Sequence, residues 1–178
     1  KMAEYITSEG KSHDIINPTV RSKIIFGVSA TMKYVHAHQV IHRDLKLENI
    51  FLDDNYEPRI ADFGLSKVIF GDAKMTMAIG SPIAMAPELF VDGDETYSIP
   101  VDVYAYAFIL YRMFSNTIEL DCAKKVKSPQ QYMMQVSKGA RPKKPKNIPE
   151  HYWELIKNCW LPNAADRPTF DDITNLLK

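Results

Sequence analysis

From Val101 to Met113 the sequence reads VDVYAYAFILYRM, and apart from Asp102 and Arg112 its residues are apolar nearly all round. A helix without a polar face has to be covered on every side. Ser98 is placed to cap this helix and Pro100 to begin it. The unbroken apolar run, Val103 to Tyr111, is nine residues long, too short to cross a bilayer. The segment therefore reads as a central helix that the rest of the chain wraps. Asp102, an acid at the head of such a helix, is tolerated only if buried donors meet it.

The remaining pattern is mostly helical. From Thr19 to Val40, apolar residues at Val20, Ile24, Ile25, Val28, Met32 and Val35 recur at steps of three or four, the period of a helix with one buried face. Asn17 and Pro18 mark its start. Two short β-prone pieces, NIFLD and PRIAD, flank the turn-rich DNYE and predict a small hairpin. From Asp62 to Met85 no period holds and glycines punctuate a long loop. Three further helical stretches follow, SPQQYMMQVSKG, PEHYWELIKNCW and DRPTFDDITNLLK. The expected fold class is mainly α, a helical bundle with one small β-hairpin.

At 178 residues, 46% hydrophobic and 25% charged, one domain is expected. Lys plus Arg and Asp plus Glu are balanced at 22 each, so no nucleic-acid or membrane partner is expected from charge. Cys122 and Cys159 form no zinc or redox spacing. The opening KMAEYITSEGK has no apolar leader, and a soluble chain in the reducing cytoplasm is the expectation. His36, His38 and His42 fall on different sides with no cysteine to complete a metal set.

The chemistry gathers between the first helix and the hairpin, where HRDLKLEN (His42 to Asn49) is followed by DFG (Asp62 to Gly64) and APE (Ala86 to Glu88). Three such motifs in this order resemble the C-terminal lobe of a eukaryotic protein kinase. The resemblance implies transfer of the ATP γ-phosphate to Ser or Thr hydroxyls of protein substrates, which asks mainly for positioning and charge neutralisation. Asp44 would then accept the hydroxyl proton, and Lys46 would face the moving phosphoryl group in the serine/threonine manner. Asn49 and Asp62 offer oxygens suited to Mg²⁺. Arg43 would sense a phosphate on the long loop, with Thr76 the candidate acceptor, and Ser81 would bond Asp44 and Lys46. Met85 would face the substrate residue after the acceptor and favour an apolar side chain.

Other residues are structural by the same resemblance. Glu88 and Arg167 would form a buried ion pair, Asp102 would bond the catalytic-loop backbone, and His42 and Phe63 would stack in the core beside Gly64. GARPKKP, CW and DRPTF resemble the tyrosine-kinase-like group of serine/threonine kinases. The backbones of Glu4 and Ile6 would face adenine at a hinge, with Phe51 beneath it. No G-x-G-x-x-G and no V-A-I-K occurs, so residues 1–178 read as a partial kinase domain, hinge and C-terminal lobe, whose N-terminal lobe is absent. The chain alone is therefore expected to be inactive, with protein substrates and that lobe as partners. The alternative is a non-catalytic, pseudokinase-like interaction module with the same fold.

Overall fold

The computed structural model describes residues 17–68, 84–90, 98–115 and 128–178. The central helix runs over Pro100–Arg112 and its residues from Val101 to Tyr111 are all buried. Ser98 does not cap it as expected. The N-cap is Ile99, which has no capping side chain, and Ser98 contributes only its carbonyl, accepting from the Val101 amide at 3.1 Å.

Four helices surround this rod. The first, α1 (Pro18–Ala37), starts where Asn17 accepts from the Thr19 amide. It presents Ile24, Ile25, Val28 and Met32 to the core. It ends three residues short of the expected Val40, because Gln39 turns left-handed at φ 57° and Val40 begins a strand. The central helix is α2. A third, α3 (Pro129–Ser137), is capped by Ser128, and the chain leaves it through Gly139, whose φ of 90° suits a residue without Cβ. Helix α4 (Glu150–Cys159) packs on α2, and α5 (Phe170–Leu176) packs on α1. A capping box between Thr169 and Asp172 starts α5, so the helix is shorter than DRPTFDDITNLLK suggested.

Aromatic contacts fill the space between helices. Tyr106 meets Phe170 edge-on at 5.2 Å, and its hydroxyl donates to the Ile25 carbonyl at 2.9 Å. Phe108 lies 4.9 Å from Trp160. The Tyr104 ring sits between two guanidiniums, Arg167 at 4.9 Å and Arg141 at 5.3 Å. Burial pushes its hydroxyl up to about 12, against the pull of those two cations.

Four short strands make two ladders. The expected hairpin forms between β2 (Ile50–Leu52) and β3 (Pro58–Ile60), with Phe51 opposite Arg59. A second ladder, which the sequence did not announce, pairs β1 (Val40–Ile41) antiparallel with β4 (Lys67–Val68). Thus the segments on either side of the hairpin are themselves paired.

Arg167 shows the expected partnership with Glu88. Its two terminal nitrogens reach the two carboxylate oxygens at 2.6 and 2.7 Å. It also donates to the carbonyls of Leu161, Pro100 and Pro162. The Arg167 side chain is fully buried, whereas that of Glu88 keeps 28% of its surface. The pair fixes the Pro87–Phe90 turn against the start of α2.

Two predictions follow from this packing. A Cβ on Gly27 would stand 2.6 Å from the Pro58 ring, so Gly27→Ala should lower stability by about 1–3 kcal/mol in urea denaturation, outweighing a helix-propensity gain of about 1 kcal/mol. A raised midpoint would contradict that close approach of α1 and β3. Arg167→Met should cost about 3–5 kcal/mol, as expected when a carboxylate loses a buried partner. A loss below about 1 kcal/mol would make the pair an ordinary surface contact.

Candidate active site

The loop between β1 and β2 hangs from one carboxylate. Asp102, 1% exposed on the first turn of α2, accepts from the backbone amides of His42 (2.7 Å, Oδ2) and Arg43 (2.9 Å, Oδ1). A third donor is His36 of α1, whose Nε2 lies 2.9 Å from Oδ2. A carboxylate only accepts, so the ring proton of His36 sits on Nε2. Its buried Nδ1 has no partner among the described residues. Arg43 itself is held left-handed at φ 69°, a strained conformation that persists only where its surroundings impose it.

His42 passes this anchoring on. It is fully buried, and its Nε2 donates to the Ala61 carbonyl at 3.1 Å while Nδ1 accepts from the Asp44 amide at 3.3 Å. This ring therefore ties the β1–β2 loop to the strand end that precedes Asp62. The ring of Phe63 meets that of His42 at 4.7 Å with a tilt of 53° instead of stacking on it, and Phe63 does not lie in the core. It is 42% exposed.

Asp44 is nearly buried, and its Oδ2 is clamped. Lys46 Nζ donates to it at 2.5 Å and Asn49 Nδ2 at 3.0 Å, with Asn49 also donating to the Asp44 carbonyl at 2.9 Å. Among the described residues Oδ1 takes no hydrogen bond, which leaves one acceptor oxygen fixed and open. Lys46 thus contacts the carboxylate of Asp44 while staying part-exposed.

Asn49 spends its side-chain nitrogen on Asp44, so its side-chain oxygen Oδ1 remains for another ligand. Next to the β2–β3 ladder the Ala61 amide donates to the backbone carbonyl of Asn49 at 2.8 Å, which places Asp62 next to Asn49. Asp62 is exposed and left-handed at φ 62°, a state an aspartate adopts more readily than most residues. A Cβ on Gly64 would stand 3.2 Å from Asp62 Oδ1, so glycine there leaves the carboxylate room. One amide and one carboxylate oxygen fit a hard cation that takes its other ligands from phosphates and water. Among the described residues no group of three or more His, Cys, Asp or Glu could hold a metal.

A shallow cleft opens beside Asp44, lined by Arg43, Lys46, Ala84, Met85, Leu89 and Ala105. Met85, expected to face a substrate residue, is one of the residues that line it. Phe51 is 40% exposed on β2. Glu4, Ile6, Thr76 and Ser81 lie outside the described residues, as does Cys122. Cys159 is buried and its thiol is pushed well up by desolvation. His36 is the residue that sequence reasoning missed. Its only signal was a histidine on the buried stripe of α1, and its partner is 66 positions away. His38 binds the Tyr34 carbonyl instead, so the three histidines serve three different contacts.

The family model described as the protein kinase domain matches residues 2–176. The chain is 38% identical over 162 residues to a probable serine/threonine-protein kinase of Dictyostelium discoideum, covering 91% of this chain and 17% of that protein. It is 36% identical over 158 residues to the RGS domain-containing serine/threonine-protein kinase A of the same organism, covering 89% of this chain and 13% of that protein. It is 33% identical over 155 residues to the serine/threonine-protein kinase STY17 of Arabidopsis thaliana, covering 87% and 26%. The chain thus spans only a minor part of these relatives' length. The hanging catalytic loop, the clamped Asp44 and a match over nearly every residue make this chain a member of the protein kinase domain family.

Proposed function

We propose that this chain carries the catalytic loop of a serine/threonine protein kinase of the tyrosine-kinase-like group. The observation that carries the reading is Asp44 in the lining of the cleft, with Oδ2 held by Lys46 and Asn49 while Oδ1 takes no hydrogen bond among the described residues. A substrate hydroxyl donating to Oδ1 would be oriented, and its proton would have an acceptor as the oxygen attacks phosphorus. Lys46 lies within reach of the same point and supplies positive charge on the side where phosphate oxygens would sit. Asn49 and Asp62 are the residues that would hold Mg²⁺, which when bound neutralises the phosphates of ATP.

The other roles follow from position. Arg43, on the wall of the cleft, would receive a phosphate on Thr76, and Ser81 would steady Asp44 and Lys46 from the loop. Glu4, Ile6 and Phe51 would meet adenine. The glycine-rich loop and strand lysine that cradle the phosphates would come from an N-terminal lobe outside these residues. The 178 residues alone would then bind ATP weakly and turn over negligibly. The buried free thiol of Cys159 suits a cytoplasmic setting.

The test is phosphotransfer by the whole protein from ATP and Mg²⁺ to a serine- or threonine-containing peptide. Asp44→Ala should lower kcat by about 10²–10⁴, the usual worth of a positioned base, with a smaller effect on KM. The isolated 178-residue chain should show no transfer. Asp44-dependent turnover by that chain alone would contradict the need for a second lobe, and an Asp44→Ala protein as active as wild type would remove the kinase reading.

A further inference from the structure

Between α3 and α4 the chain gathers charge of one sign. Lys138, Arg141, Lys143, Lys144 and Lys146 put five cations into nine residues that hold no Asp or Glu. The whole chain is balanced at 22 of each sign, so the rest of it carries five more acids than Lys and Arg. All four lysines are exposed. A lysine run is most often a solvated face, and two features set this one apart.

The first is a fixed frame. Gly139 turns the chain out of α3 at φ 90°. Arg141 then spends its guanidinium on the carbonyls of Val136 and Ala140, each at 2.9 Å, and on that of Trp160 at 2.9 and 3.1 Å. Pro142 and Ile148 are buried, and the Tyr111 hydroxyl donates to the Lys143 carbonyl at 3.2 Å. The backbone under the lysines is pinned at both ends and in the middle, so a ligand does not have to order it. The second is a shortage of counter-charge. Lys144 pairs with Glu150. Lys138 and Lys146 meet no carboxylate among the described residues, and Arg141 meets only neutral carbonyls.

The complement of such a segment is an anion, and the charge balance of the chain selects its kind. A nucleic acid or an anionic membrane extends past a patch of this size and meets the acid excess of the remaining surface, which repels it. A short acidic peptide does not. The seven residues from Ala140 to Lys146 span at most about 25 Å when extended, room for about seven residues of a partner chain. We propose that the connector between α3 and α4 docks a short acidic segment of a partner protein, whose carboxylates face Lys138, Lys143, Lys144 and Lys146. This surface shares no residue with the cleft at Asp44, and the proposal does not depend on the kinase reading.

The test measures binding of fluorescein-labelled peptides to the whole protein by fluorescence anisotropy. A Glu-rich peptide of about seven residues should bind about tenfold more tightly than the same peptide with Gln for Glu, because several weak exposed pairs act together. Raising salt from about 0.1 M to about 1 M should erase the difference. Changing Lys143, Lys144 and Lys146 together to Gln should bring the two peptides level, and changing them to Glu should turn the preference to a Lys-rich peptide. Loss of folding cannot produce that reversal. The same Gln exchange at Lys33, Lys157 and Lys178, three cations on other helices or at the chain end, should leave the acidic peptide's affinity unchanged. Equal affinity for the Glu and Gln peptides would overturn the proposal. An equal loss in the Lys33, Lys157 and Lys178 variant would also overturn it, making the attraction a property of overall charge. Binding of phosphatidylserine vesicles or of single-stranded nucleic acid that the Lys143, Lys144 and Lys146 variant loses, with the Glu peptide unbound, would give the segment to another class of partner and overturn it as well.

Discussion

A single buried carboxylate holds the site together. Taking an aspartate out of water costs several kcal/mol unless donors meet it, and Asp102 is met by two backbone amides and one imidazole. The exchange makes structural sense because of where Asp102 sits. It lies in the first turn of the most buried helix among the described residues, and the loop hangs from that helix. From there the order spreads by short steps. His42, positioned by its amide, grips the Asp44 amide and the Ala61 carbonyl, and Asn49 grips Asp44. Arg43 and Asp62 are thereby held in left-handed backbone states they would not choose alone.

Much of this frame could be read from the sequence. The apolar periodicity of α1 and the all-apolar α2 give local signals, since every residue of a helix reports on the same axis. Asp102 stood out because an acid in an apolar run needs donors. Glu88 and Arg167, 79 positions apart, carry no local signal, and only the family resemblance joined them. The β2–β3 hairpin was announced by its turn, whereas the β1–β4 ladder has only two residues a side and no turn between.

The misses have physical causes as well. His36 meets Asp102 only after α1 and α2 pack, and a single histidine on a helix face does not say what lies opposite. Ser98 had the right chemistry for a cap, but Ile99 became the N-cap, which leaves the serine one position too early. Phe63 was expected in the core on the family resemblance alone. Its exposure depends on what covers its other face, and no local pattern encodes that. Arg112 was visible only as a polar break in an apolar helix.

The loop between β1 and β2 is suspended from Asp102 and is not shaped by its own sequence. Amide hydrogen exchange at His42 and Arg43 tests this directly when Asp102 is changed to Asn, which keeps the shape and loses one charged acceptor. The prediction is exchange faster by about tenfold or more at His42, matching the loss of about 1.5–3 kcal/mol for a hydrogen bond to a charged group. Amides in the middle of α2, such as that of Tyr106, should keep their protection. Unchanged exchange at both His42 and Arg43 in a folded Asp102→Asn protein would show that the loop holds its own form, and would contradict the account.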